Sequence, residues 1–222
     1  QDTLRAISGS TSGVRNGSDE IALAADDLSR RTEQQAASLE ETAAALISHF
    51  EPHTPIVPGK PLIGGRGRDI CARLYAAIIK LRPDWHDDDI EKGVIKVVMT
   101  GSASDDKLLQ PHVTTKRQKK RLEKRFKNPA DPLRLVIVRD MWLTGFDAPC
   151  CHTMYVDKPM KGHNLMQAIA RVNRVFKDKP GGLVVDYIGI ANDLKAAMKI
   201  YADSNGRGQP SRKAEEFLDV LR

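Results

Sequence analysis

Apolar residues recur along the chain with two different periods, and the change of period divides it. Positions 4, 7, 11, 14, 18, 21, 25, 28, 32, 35, 39, 42 and 46 read Leu, Ile, Thr, Val, Ser, Ile, Ala, Leu, Thr, Gln, Leu, Thr and Leu. Steps of three and four are the heptad spacing of a helix that supercoils with partners. Small and polar residues fill much of this seam, so a single copy is not expected to stay folded alone. Gly9, Gly13 and Gly17 weaken its start, each by roughly 1 kcal/mol against alanine.

From residue 69 onward the pattern alternates. ICARLYAAIIKLR (70–82) has apolar residues at 70, 74, 78 and 81 and predicts a helix ending at Pro83. VIKVVM (94–99), LRLVIV (133–138), HTMYV (152–156) and GGLVVDYIG (181–189) predict short strands. TTKRQKKRLEKRFK (114–127), NLMQAIARVNRVF (164–176) and IANDLKAAMKIYAD (190–203) predict helices. Strands alternating with helices imply an α/β domain, a mostly parallel sheet with helices on both faces. Ligands bind such sheets at the carboxyl ends of their strands.

Between these pieces, ISHFEPHTPIVPGKPLIGGRGR (47–68) has prolines at 52, 55, 58 and 61 and glycines at 59, 64, 65 and 67. Neither period survives there, and the stretch reads as a linker or junction. PGKP and GGRGR do not make a phosphate loop. That loop needs GxxxxGK[ST], and Lys60 is followed by Pro61.

Composition adds little to this division, but charge sharpens it. With 222 residues, 41% of them hydrophobic, the chain has room for one domain and an appendage. No apolar run reaches membrane-spanning length, and residues 1–20 lack the apolar middle of a signal peptide. Cys71, Cys150 and Cys151 form neither a disulfide framework nor a CxxC knuckle, so a reduced cytoplasmic location and no metal site are expected. Residues 1–48 hold 4 Lys/Arg against 8 Asp/Glu, whereas residues 49–222 hold 31 against 21. An acidic segment joined to a basic body suggests different partners for each.

Candidate chemistry concentrates after two predicted strands. VRDMWLTGFDAP follows the 133–138 strand, and QAIARVNR follows the 152–156 strand after a loop. Both lie at carboxyl ends and can share one crevice. Gln167, Arg171 and Arg174 fall on one helix face, where two guanidinium groups repel unless an anion lies between them. Taken singly, LTGFDAP is equally a loop whose Asp147 caps a turn, and the arginines a solvated face. KRQKKRLEKRFK (116–127) holds eight basic residues. It is either a soluble outer face or a phosphate-backbone contact through Lys116, Arg117, Lys119, Lys120, Arg121 and Lys124. The latter would be salt-dependent and indifferent to base sequence. PDWHDDDIEKG (83–93) lacks the spacer of a (D/E)xK nuclease motif and reads as a solvated loop. Neither HExxH nor GxSxG occurs.

Two resemblances bear on these residues. DDLSRRTEQQAASLEETAAAL (26–46) resembles the cytoplasmic signalling domain of methyl-accepting chemotaxis receptors. That likeness implies modification sites at Gln34 and Glu41; a third would fall at Ser48, where the pattern has stopped. VIVRDMWLTGFDAPC and MYVDKPMKGHNLMQAIARVNRVFKDKPGGLVVDYIGIA resemble the restriction (R, motor) subunit of type I restriction-modification enzymes, over about 69–222. This second likeness implies a RecA-like domain, the second of two motor domains, over 69–205. The start of a further helical segment would follow at 206–222, with a chemoreceptor-like helix at 1–46 and a joint at 47–68.

The resemblance also implies roles. Thr144, Gly145 and Asp147 match motif V, which couples nucleotide and DNA contacts. Gln167, Arg171 and Arg174 match motif VI, whose arginines reach ATP phosphates, although Ala170 stands where the family has glycine. The implied partners are double-stranded DNA and the modification and specificity subunits. The implied cofactor is ATP with Mg2+, bound mainly by a first motor domain that this chain lacks. With neither Walker motif, it is expected not to hydrolyse ATP alone. The rival expectation is a self-associating coiled coil, or a receptor-array element, fused to an inactive α/β body. A misjoined product of two genes is the third.

Overall fold

Helix α1 spans Asp2–His53 in a computed structural model that describes residues 2–53, 59–102, 105–143, 146–160, 162–172 and 182–187. By packing, the chain falls into two units, Gln1–Glu41 and Thr42–Arg222. The last turns of α1 therefore belong with the α/β body. Ala43, Leu46, Ile47 and Phe50 are buried there. Phe50 meets Trp85 edge-on at 5.5 Å between centroids. His49 Nδ1 lies 2.8 Å from the Tyr155 hydroxyl. Arg82 donates to both Glu51 carboxylate oxygens, at 2.6 and 2.8 Å.

The body is built on five parallel strands, β1 (Lys60–Gly65), β2 (Ile95–Val98), β3 (Leu135–Val138), β4 (Cys151–Asp157) and β5 (Leu183–Asp186), in the order β2-β3-β1-β4-β5. Helices α2 (Arg68–Leu81), α3 (Lys116–Lys127) and α4 (Gly162–Val172) make the crossovers. The four strands foreseen beyond residue 69 are present, and α2, α3 and the described part of α4 lie where the helical pattern put them. The helix expected at 190–203 lies outside the described residues.

The linker expectation for 47–68 fails at both ends of that stretch. Its start is helical to His53, and Lys60–Gly65 is the central strand, with Leu62 opposite Val136 on one side and Met154 on the other. Proline and glycine hid it. Pro61 has no N–H for the ladder, and the register against β4 shifts there, between Lys60 and Leu62. A Cβ on Gly65 would stand 2.7 Å from Cys71 Sγ, so that glycine lets α2 pack close to the strand.

Alternation along the strands separates two layers. Leu62, Val98, Val136, Val138, Met154 and Val156 cluster with Leu122 and Phe126 of α3 and with Leu165, Ala168 and Val172 of α4. Ile63, Ile95, Val97, Ile137 and Tyr155, also buried, point to the opposite face, where α2 packs over β1, β2 and β3.

Three buried cations tie the amino ends of the strands to neighbouring loops. Arg125 is 5% exposed and donates to the carbonyls of Ile90 and Lys92 at 2.8 Å and of Gly93 at 3.1 Å. It also pairs with Asp131 at 2.9 Å. Lys60 Nζ donates to the carbonyls of Arg125 and Asp131, and burial pushes its pKa down to about 8. Lys96 Nζ donates to the carbonyls of Asp87 and Asp89. The acidic run 86–89 thus serves the fold through its backbone oxygens.

Candidate functional site at the carboxyl edge of the sheet

Beyond the carboxyl end of β3 the chain turns sharply. Trp142 adopts φ +67°, a left-handed conformation that costs a bulky residue energy. The turn is held by ring packing. Trp142 stacks on Phe146 at 4.3 Å between centroids and 9° between planes, and Phe126 of α3 packs against both rings. Thr144 and Gly145 lie outside the described residues. Asp147 is exposed.

Helix α4 reaches this turn from the next crossover. Arg171 Nε donates to the Leu143 carbonyl at 3.4 Å, and its Nη1 donates to the Phe146 carbonyl. The two segments expected to share a crevice are therefore in contact. Arg171 faces backbone oxygens of the turn in this structure. Gln167 is half-buried on the same helix, and Arg174 lies outside the described residues.

The rest of this edge carries charges that the sequence reading passed over. Arg68, at the start of α2, forms a two-pronged pair with Asp105, its Nη2 2.7 Å from Oδ1 and its Nη1 2.8 Å from Oδ2, and also donates to the Thr100 carbonyl at 3.0 Å. Asp105 additionally accepts from the Ser102 N–H at 2.7 Å. These bonds, the Arg68 one foremost, hold its carboxyl below the usual range. Burial raises the pKa of Asp157, at the end of β4, against the opposing pull of Arg66 3.7 Å away. Lys158 pairs with Asp140 and donates to the Arg139 carbonyl at 3.0 Å. Arg66 and Arg68 were hidden by reading GGRGR as linker. Asp157 and Lys158 could have been found as the polar pair that ends an apolar strand.

On α3, Lys116, Arg117, Lys120, Arg121 and Lys124 are exposed and Lys119 is half-buried. Arg121 lies 3.1 Å from Glu91. Thr115 and Gln118 form a capping box that fixes the helix start. Gln34 and Glu41 are exposed on α1. No cluster of metal-ligating side chains occurs among the described residues, and none of their helices is long and apolar enough to cross a membrane.

A parallel sheet in this order, helices on both faces and polar loops gathered at its carboxyl edge define a RecA-like α/β domain. A fragment described as the HsdR subunit of a type I restriction enzyme from Vibrio vulnificus YJ016 shares the fold, with a TM-score of 0.51 at 16% identity, over 80% of this chain and 32% of that one.

The sequence comparisons go further. Residues 102–189 match the family described as type I restriction enzyme subunit R domain 3 (T1R_D3-like). The chain is 58% identical to the type I restriction enzyme HindI endonuclease subunit of Haemophilus influenzae over 192 residues, covering 82% of this chain and 18% of the relative. It is 48% identical to a Methanocaldococcus jannaschii protein described as the MjaIXP endonuclease subunit, over 74% of this chain and 15% of that one. It is thus a relative of type I restriction endonuclease subunits that spans less than a fifth of their length. The match to the HindI subunit is longer than expected. Asp69–Arg222 holds 154 of the 222 residues, about 69%, so a match over 82% has to reach back to about residue 41 or beyond.

Proposed function

We propose that the chain acts as the second RecA-like domain of a type I restriction motor, completing an ATP site held mainly by another domain and tracking double-stranded DNA. One observation carries the reading: the turn after β3 and helix α4 meet at the carboxyl edge of a parallel sheet, joined through Arg171. In this role Thr144, Gly145 and Asp147 couple nucleotide to DNA, while Gln167, Arg171 and Arg174 serve ATP with Mg2+. A guanidinium suits phosphate because it is planar, always charged and able to donate two parallel hydrogen bonds. The modification and specificity subunits would be its partners, in the cytoplasm.

The exposed lysines and arginines of α3 supply the DNA contact in this scheme. Anisotropy titration of a duplex with the full chain should show weak binding that falls steeply with salt. Replacing Lys119, Lys120 and Arg121 together should reduce the slope of log K against log salt by about 3. An unchanged slope removes the patch from the argument. The chain alone should not hydrolyse ATP; turnover abolished by Arg174→Ala would overturn that part.

A second reading draws on the separation of Gln1–Glu41 as its own unit. There the heptad helix self-associates, with Gln34 and Glu41 as modification sites and the α/β body as cargo. Sedimentation of the full chain against one starting at Thr42 tests it.

A further inference from the structure

We infer that segment 105–113 is a pH-responsive strap, pinned to α2 at two points, and that a proton on His112 loosens one of them while the other holds. The inference goes beyond the proposed function and does not depend on it. Arg68 and Tyr75 stand two turns apart on α2 and so share one face of it. Arg68 grips Asp105 through its two-pronged ion pair. Tyr75 meets the His112 ring edge-on, with 4.7 Å between centroids and 69° between planes. Between these points the strap closes on its own backbone. The N–H groups of Leu109 and Gln110 donate to the Asp106 carbonyl at 3.2 and 3.1 Å. Those of His112 and Val113 donate to the carbonyls of Leu109 and Gln110 at 2.9 and 3.2 Å. Leu109 is buried, and Val113 is bridged to Met99 just beyond β2.

The Tyr75 end is a junction of titratable groups. Tyr75 is 8% exposed, and its hydroxyl lies 2.7 Å from His86 Nδ1. His86 Nε2 lies 3.3 Å from Asp88. From β2, Lys96 reaches the carbonyls of Asp87 and Asp89, next to His86 in the chain. One tyrosine therefore touches both histidines. A proton on His112 is opposed first by burial and then by the positive charges of His86 and Lys96, which keeps its pKa below the usual value. Burial, with Asp88 and Asp87 adding to it, pushes the Tyr75 hydroxyl up to about 12, so the tyrosine stays neutral.

The closed strap thus binds fewer protons at His112 than an opened one. Opening is favoured progressively as pH falls below about 6.5, the ordinary histidine value. For one proton the opening constant rises at most about tenfold per pH unit. The Arg68 end has the opposite character. Its guanidinium is always charged, and the Asp105 carboxyl that it holds below the usual range keeps its charge through the same window. The strap ends just before Thr115, whose side chain caps α3, so loosening at His112 reaches the start of the basic helix.

Amide hydrogen exchange of the full chain at pH 7.5 and 5.5, corrected for the chemical rate at each pH, reads the strap directly. Protection at Leu109, Gln110, His112 and Val113 should fall in acid by up to about tenfold, while the amides of β3 keep theirs. The midpoint of that fall should coincide with the titration of the His112 imidazole, followed by its Cε1 proton resonance. His112→Phe keeps a ring on Tyr75 but takes no proton, and should abolish the pH dependence. His86→Gln should keep it with a higher midpoint, because one opposing charge is gone. An unaltered chain whose strap ignores pH, or whose midpoint departs from that of His112, would overturn the inference. So would pH dependence that survives in His112→Phe or vanishes in His86→Gln, or an equal loss of protection in β3. If His112→Phe does not fold, the agreement of the two midpoints in the unaltered chain still decides.

Discussion

A chain starting at Thr42 should fold, and one starting at Asp69 should not. The shorter chain loses the end of α1 and the central strand. From α1 it loses Leu46, Ile47 and Phe50, which are 0%, 4% and 7% exposed. Burying side chains of this size contributes about 1.5–3 kcal/mol each, so these three represent roughly 5–9 kcal/mol as an upper bound. From β1 it loses Leu62 and Ile63, each 1% exposed, and with them the strand that pairs with β3 on one side and β4 on the other. At the same rate the five side chains together represent roughly 8–15 kcal/mol as an upper bound, comparable with the roughly 5–15 kcal/mol by which a domain is stable. Far-UV circular dichroism on heating is the assay. The Thr42 chain should melt cooperatively, and in it Phe50→Ala should cost about 3–5 kcal/mol, lowering the midpoint by roughly 6–20 °C. A cooperative melt of the Asp69 chain within about 3 °C of the longer one, less than 1–2 kcal/mol apart, would refute the reasoning.

Arg125→Met should destabilise by about 3–5 kcal/mol, because it leaves Asp131 and three carbonyls without their buried donor; a chemical denaturation midpoint within error of the parent would contradict this. Lys60 should make stability rise with pH. Its folded pKa of about 8 lies below the unfolded value near 10.4, so the folded state binds fewer protons in that window. The penalty, at most about 3 kcal/mol, is present in full below pH 8 and relieved above it. The readout is the difference between the parent and Lys60→Met from pH 7 to 10. Buried Tyr75 and Tyr155 and half-buried Tyr187, whose pKa values burial raises, ionise first in the unfolded chain and pull both proteins the other way. A difference that does not change with pH would rule Lys60 out.

Strands β2 to β5 were legible because each is a short apolar run bounded by glycine, proline or charge. β1 was not, because its two apolar residues sit between a proline and two glycines, and only pairing on both sides makes the segment extended. The RecA-like arrangement followed from alternation and resemblance together. At the edge of the sheet, proximity of the β3 turn to α4 could be argued from topology. The partners of Arg171 could not, since they are backbone carbonyls and carry no residue signature. Arg125 was counted as one more basic side chain, yet its spacing gave the answer. It shares a helix stripe with Leu122 and Phe126, three before and one after, and that stripe faces the core. On α1 the heptad positions 42 and 46 continued the seam, but the stripe that packs on the body is 43, 46, 47 and 50.

That shift bears on what the continuity of α1 means. Glu41 and Thr42 lie in mid-helix, with no proline or glycine between them, and the division into units falls there. The HindI likeness starts no later than about residue 41, and the chemoreceptor likeness comes from residues 26–46. Two helical segments joined in frame with no proline or glycine at the joint can run on as one helix, because backbone hydrogen bonds reach only four residues back and do not distinguish what packs outside. An unbroken α1 is therefore what a working fusion would produce and also what an accidental one would produce. The packing from Ala43 to Glu51 has a different standing. It depends on side chains that fit Trp85, Tyr155 and Arg82, residues far along the chain in the α/β body. Such complementarity does not arise from joining two unrelated segments, so the end of α1 belongs to the restriction-like domain whatever the history of the helix before it.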